Sequence, residues 1–184
     1  MDDTEETMAI AAIVHEGKGS ADAPLLEFVQ QLQSQGLTVR GLVPGPQSDP
    51  NDCATRTVLD LDLGTVYPIG QSLGKESKAC CLDPGALLVA GAVLRRAAET
   101  RADLVIVNRF GVLEADGGGF SAEMLELITK GYPVLTVVSP PYLDAWRTFT
   151  GGMAAELPPE ADAIMTWFKR TRSAASVPAG GPQP

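Results

Sequence analysis

At 184 residues, 45% of them hydrophobic and 20% charged, the chain has the length for one domain with a sizeable core and the composition of an ordinary soluble globular protein. A net charge of −9 and the absence of a basic, aromatic-interleaved stripe argue against nucleic acid and anionic membrane as partners. No apolar run approaches the roughly 20 residues that span a bilayer, and the acidic start MDDTEET argues against a secretory leader or a basic transit peptide, so a cytoplasmic protein is expected.

In chain order, residues 1–7 read as an acidic extension and Met8 to Val14 as an apolar strand entering the loop His15-Glu16-Gly17-Lys18-Gly19-Ser20. A helix is expected from about Pro24 to Gln35, with Leu25, Phe28, Val29 and Leu32 at helical spacing, Pro24 in its first turn and Gly36 as its cap. Leu37 to Val43 reads as the second strand, completing a βαβ unit. After a Pro/Asp/Asn-rich loop, Arg56 to Leu61 and Thr65 to Ile69 alternate around Asp62-Leu63-Gly64, which predicts an inserted β-hairpin. Gln71 to Leu82 is irregular. Asp83-Pro84 then starts a helix that runs to about Glu99.

Leu104 to Val107 is too short and too β-branched for a buried helix and predicts a central parallel strand. A glycine-rich loop and a helix from Ser121 to Lys130 follow, then a buried strand from Pro133 to Val138. Pro140-Pro141 opens a helix carrying Leu143, Trp146 and Phe149; both Trp146 and Trp167 read as core or interface residues. Met153 to Leu157 reads as an edge strand and Ala161 to Arg170 as a last helix, with an uncharged Ala/Gly/Pro tail over 173–184 expected to be disordered. The expected fold is therefore a three-layer α/β sandwich with a mostly parallel sheet, one domain over 8–172.

Cysteine and histidine usage bears on metals and cross-links. Cys53, Cys80 and Cys81 form an odd set without CxxC spacing, and His15 is the one histidine. Neither a structural zinc site nor a disulfide framework is expected, and no metal ligand is assigned.

In open α/β sheets, ligands bind beyond the carboxyl ends of the strands. Three loops there carry candidate residues. In the first, Gly17, Lys18, Gly19 and Ser20 lie between strand and helix, where backbone N–H groups and Lys18 would suit an anion. The full G-x-x-x-x-G-K-[ST] motif is absent, and an ordinary glycine-rich turn is the competing reading. In the second, Asn108 and Arg109 end the central strand where a magnesium-dependent NTPase places a carboxylate. Arg109 suits a phosphate or another oxyanion. Glu114 is the nearest candidate general base, with a solvated loop carboxylate as its alternative. In the third, Lys75, Ser77 and Lys78 could form a small oxyanion pocket or a plain surface loop.

The run Val105 to Phe120, VIVNRFGVLEADGGGF, resembles the second signature of the small nucleoside-triphosphatases related to cancer-related nucleoside-triphosphatase. In those enzymes the strand ends in an Asp-Glu pair, whose places hold Asn108 and Arg109 here; Gly111 and Glu114 match later positions. The chain is more similar still to an uncharacterised bacterial family of degenerate P-loop nucleoside-triphosphatase-like proteins, over about residues 9 to 168. The matching segments include Leu73 to Pro84 and Ala145 to Gly152. Members are often encoded beside molybdate transport genes. The resemblance implies a P-loop-NTPase-like fold and a link to molybdate or tungstate handling.

Three functions follow from these readings. A non-hydrolysing protein that binds a nucleotide or an oxyanion such as molybdate or tungstate is preferred, because metal and cation stabilisation supplies most of phosphoryl-transfer catalysis. A divergent nucleoside-triphosphatase or phosphotransferase using Lys18, Glu114 and Asp116 is the second. An oligomeric interaction module without ligand is the third, favoured by any apolar surface around Trp146 and Phe149. The expected partner is a small-molecule anion, with homo-oligomerisation as the further expectation.

Overall fold

The computed structural model describes residues 9–17, 19–72 and 81–175. Among these residues seven strands form one sheet: β1 (Ile10–Val14), β2 (Val39–Pro44), β3 (Thr57–Asp60), β4 (Val66–Pro68), β5 (Leu104–Ile106), β6 (Val134–Val138) and β7 (Ala155–Leu157). Their spatial order is β4-β3-β2-β5-β6-β1-β7. From β2 to β7 all pairings are parallel, while β3 and β4 continue the sheet as an antiparallel hairpin beside β2. The expected α/β frame and inserted hairpin are therefore both present.

The inner strands β1, β5 and β6 are apolar but for Thr136 because both sheet faces are covered, whereas β2 carries Arg40 and the edge strand β7 carries Glu156. Helices α1 (Asp22–Ser34) and α6 (Ala161–Ala175) cover one face, where Leu25, Phe28, Leu32, Ile164 and Phe168 are buried against Ile13, Leu104 and Ile106. On the other face lie α2 (Pro84–Ala98), α4 (Ser121–Thr129) and α5 (Leu143–Phe149), with Leu94, Met124, Leu127 and Trp146 packed on Val105, Val107 and Val134. Each such side chain contributes about 1.5–3 kcal/mol relative to remaining exposed. The Asp83 carboxylate accepts from Gly85 N–H at 2.9 Å, so Asp83 caps α2 as its sequence indicates.

Several expectations need correction. The last helix continues to Ala175, so residues 173–175 belong to it and not to a disordered tail. Ser173 Oγ donates back to Lys169 O, and the following alanines favour helix wherever a turn already exists. Trp146 is fully buried, stacked with Phe149 and edge-on to Phe110. Trp146 is therefore core, while Phe149 is half-buried. Cys53 and Cys81 form a disulfide with Cα atoms 6.1 Å apart. Their 28-residue separation carries no motif, and only the β3–β4 hairpin brings the two segments together.

The sheet's carboxyl edge is where the loops matter. After β1 the chain turns to α1 on one face, whereas after the adjacent β6 it turns to α5 on the other. Diverging connections of this kind open a crevice at the strand ends. No helix among the described residues is long and apolar enough to cross a membrane.

Candidate anion-binding site

The loop after β1 stays attached to the sheet for one more residue, as His15 N–H donates to Val138 O at 3.3 Å. His15 is buried, and its Nδ1 lies 2.7 Å from Gly17 O, which gives Nδ1 the proton and fixes the ring. Its Nε2 is buried without a hydrogen-bond partner. Ser20 N–H donates to Gly17 O and Asp22 N–H to Gly19 O, so these two amides close the turn on itself. Gly19 has φ +72°, a left-handed conformation that suits glycine. Lys18 lies outside the described residues, as do Lys75, Ser77 and Lys78 of the third loop.

Beyond β5 the ladder is interrupted. Val107 N–H donates to Leu135 O, and the next bond to β6 runs from Phe110 N–H to Val137 O. A regular parallel ladder would use Arg109 N–H there, so one residue is extra and the strand bulges at Asn108-Arg109. Phe110 re-enters the core against Trp146 and Phe149. Arg109 is left half-buried at the sheet's carboxyl edge, with no ion pair or hydrogen bond to any described residue. Burial and then the nearby Arg56 guanidinium lower its pKa, while Asp22 and Glu114 act in the opposite direction.

Arg56 is a residue that sequence reasoning missed, because it stands in the hairpin only as the start of a strand. It follows a 3-10 turn over Cys53–Thr55, where β3 enters the sheet beside the end of β2. The strand order β3-β2-β5 therefore sets Arg56 and Arg109 on the same edge, flanking β2. Asp22, at the start of α1, was likewise not singled out. Its pKa is raised by burial, against the pull of Arg109, His15 and Arg56, so all three cations or potential cations face one carboxylate.

Glu114, the candidate general base, is tied into its own loop. It is buried in the short helix α3 (Val112–Ala115), and its two oxygens accept from Gly111 N–H and Phe120 N–H, each at 3.0 Å. A Cβ on Gly119 would stand 2.0 Å from Glu114 Oε1, so this loop needs glycine to close around the carboxylate. Bound in this way, Glu114 organises the loop that follows Arg109, and the geometry lends no support to a proton-abstracting role. Asp116 is exposed at the loop surface. On the face away from α1, an apolar hollow of about 570 Å³ lies between α4 and α5, lined by Phe110, Ser121, Leu125 and Phe149. Among the described residues no group of three His, Cys, Asp or Glu side chains could hold a metal ion.

Residues 10–167 match the family described as "Protein of unknown function (DUF2478)". The chain is 33% identical over 165 residues to the molybdenum import ATP-binding protein ModC 2 of Bradyrhizobium diazoefficiens, a match covering 89% of this chain and 18% of that protein. It thus spans about a fifth of the length of that relative. The solution structure of a human cancer-related nucleoside triphosphatase superposes with a TM-score of 0.61 at 15% identity, covering 93% of this chain and 100% of the other. That likeness is one of fold, a P-loop-NTPase-like α/β sandwich.

Proposed function

This chain belongs to the DUF2478 family, and we propose that it binds a nucleotide or an oxyanion without hydrolysing it, in the handling of molybdate or tungstate. One observation carries the reading. Arg109 is held half-buried at the carboxyl edge of a nucleotide-binding type of sheet, and no described acid pairs with it. A guanidinium withdrawn from water and left unpaired is unfavourable unless a ligand completes it. Arginine supplies a planar fork of donors that fits phosphate, molybdate and tungstate oxygens alike.

The absence of hydrolysis follows from charge at the reacting end. Phosphoryl transfer needs a metal ion or an equivalent array to neutralise charge that develops in the transition state. The strand end that would carry a metal-holding carboxylate carries Asn108 and Arg109, and Glu114 is occupied by backbone amides. Ground-state anion binding needs only the cationic groups. The molybdate link is supported by the name of the relative that contains a similar segment, a molybdenum importer's ATP-binding protein.

Calorimetric titration with ATP, GTP, molybdate and tungstate, each with and without magnesium, tests the reading. Binding that does not require magnesium is expected, together with no release of phosphate from ATP. Arg109→Ala is expected to weaken binding roughly tenfold or more while the protein stays folded. Affinity unchanged in the folded variant would remove Arg109 from the site, and magnesium-dependent turnover would establish an enzyme instead.

A further inference from the structure

The Cys53–Cys81 disulfide is anchored in the turn that Arg56 closes. We propose that Arg56 is a second cationic ligand of that site and that this disulfide holds it in place, so that anion affinity depends on the redox state of the pair. The inference rests on the anion-binding reading of Arg109 and adds to it a residue and a control.

Arg56 closes the turn that Cys53 opens, and its own N–H donates to Cys53 O at 3.2 Å. The Asp52 carboxylate caps the same turn by accepting from Ala54 N–H. Against this turn packs the segment leaving β4. Ile69 N–H donates to Arg56 O at 3.0 Å, and a Cβ on Gly70 would stand 2.4 Å from both Cys53 O and Ala54 O. That segment is in turn bonded to the approach to α2: Asp83 N–H donates to Ile69 O and Gln71 N–H to Cys81 O, at 2.8 and 2.6 Å. The disulfide joins the first and last of these three layers covalently. A short cross-braced stack therefore fixes the backbone from which Arg56 projects.

The stack has a force to resist. Arg56 and Arg109 are both half-buried, both lack an ion pair among the described residues, and the Arg56 charge acts on Arg109. Without an anion between them, like charges in a partly dehydrated edge repel. A free turn would relieve that repulsion by swinging away. A tethered one keeps the two guanidiniums facing a common anion, and preorganisation of this kind raises affinity by removing the cost of assembling the site on binding.

Opening the brace is ordinary thiol–disulfide exchange. A cellular dithiol attacks one sulfur as its thiolate, giving a mixed disulfide; its second thiolate then displaces the other cysteine. Two electrons and two protons pass to Cys53 and Cys81, and the dithiol leaves as its own disulfide. Oxidised dithiol reverses the step. In a reducing compartment, disulfides are more often redox-responsive than structural.

The test uses the full chain in three forms: air-oxidised; reduced with a water-soluble phosphine and desalted without oxygen; and the C53S/C81S variant. Each is titrated with molybdate and, separately, with ATP lacking magnesium. Unreduced peptide mapping should find the Cys53–Cys81 link, and the oxidised form should bind roughly tenfold or more tightly than the reduced form. The C53S/C81S protein should match the reduced form and ignore the phosphine. Arg56→Ala leaves the disulfide intact, so it tests the arginine even where the cysteine variant folds poorly. It should weaken binding by the oxidised chain and erase the difference between oxidised and reduced protein. Equal affinities in both redox states, an unlinked pair, or full affinity in Arg56→Ala would each overturn the inference while a loss in Arg109→Ala left the anion site standing. No binding by oxidised wild type would remove the site itself.

Discussion

Apart from the exposed Arg101 and Arg170, which make no ion pair among the described residues, the arginines of this acidic chain divide into two populations. Along the hairpin, the helices and the sheet's opposite edge they are paired: Arg40 with Asp62, Arg95 with Glu123, Arg96 with Asp60 and Asp62, Arg147 with Glu156 and Asp144, and Arg172 with Asp103. At the carboxyl edge, Arg56 and Arg109 are half-buried with no such partner among the described residues. Carboxylates outnumber cations, 23 Asp and Glu against 14 Lys and Arg, so the shortage at this edge is not compositional. The fold uses its acids to bind elements together and leaves these two guanidiniums without one. On the proposed reading, stability and ligand binding are separated in space.

That separation predicts opposite outcomes for two arginine substitutions, and the paired side should show the largest effect. Asp60 is fully buried, and Arg96 reaches it at 2.5 Å from the neighbouring helix. Its remaining bonds, from Asp62 N–H and Leu63 N–H, come from its own turn. Arg96→Ala leaves a buried carboxylate without its counter-charge and should cost about 3 kcal/mol in urea unfolding. A cost below about 1 kcal/mol would mean water already serves Asp60, and the pairing would lose its structural meaning.

Next in size is the loop that follows Arg109. Gly119→Ala places a methyl group on Glu114 Oε1 and forces a non-glycine residue to φ +55°. A loss of about 2 kcal/mol is expected, with the strain and the broken Phe120 amide bond both contributing. Thermal unfolding measures the loss. Glu114→Gln should be milder, since one carboxylate oxygen is replaced by a donor facing an amide N–H. It should leave any anion affinity within about twofold, because the loop retains one acceptor. A complete loss of binding with intact stability would restore Glu114 to the chemistry.

On the unpaired side the sign reverses. Arg109→Met keeps much of the side chain's length and removes a partly dehydrated charge that repels Arg56. The variant should be as stable as wild type or more so, by about 1 kcal/mol, while losing the ligand. Stabilisation combined with lost binding is the pattern of a residue kept for function. Destabilisation by about 2 kcal/mol or more would place Arg109 with the structural arginines.

How much of this was legible in the sequence differs between the frame and the edge. Short β-branched runs such as Leu104 to Val107, and apolar spacing such as Leu25, Phe28, Val29 and Leu32, report strands and helices locally, because burial on both sheet faces is written residue by residue. The position of Arg109 at a strand end was readable for the same reason. Arg56 was not, since nothing in its immediate neighbours marks it and the strand order brings it to the edge only because β3 lies on the far side of β2; Asp22, just past the loop over 17–20, gains its meaning only from the arginines that the fold sets near it. The Cys53–Cys81 pair is invisible for the same cause, being set by hairpin geometry rather than spacing. Glu114 shows the opposite limit. A lone carboxylate among glycines resembles a base, and only the two amides that converge on it show that the glycines exist to let the loop wrap it.

The smallest expected effect is a dependence on pH that differs in sign between two carboxylates. Glu156 is held below the usual range by its hydrogen bonds to Arg147, at 2.6 and 3.0 Å, with burial acting against them. Its folded form binds the proton less readily than its unfolded form. It therefore contributes stability above the unfolded glutamate pKa, and that contribution is lost as pH falls through the lowered folded value. Asp22 is shifted the other way, upward from 3.8, because burial outweighs the attraction of Arg109, His15 and Arg56. Its folded form holds the proton more tightly, so its contribution is fully present below 3.8 and disappears as pH rises through the raised folded value. Asp22→Asn should accordingly be at least as stable as wild type at neutral pH and lose that advantage in acid, whereas Glu156→Gln should be less stable at neutral pH and converge with wild type in acid. Urea unfolding across pH 3 to 7 separates the two curves. A bound anion sharpens the test: it adds negative charge beside Asp22 and should raise that pKa further, so binding should strengthen as pH falls toward it. If saturating molybdate left the Asp22-dependent part of the curve unmoved, the anion would not be seated at the arginines that Asp22 faces.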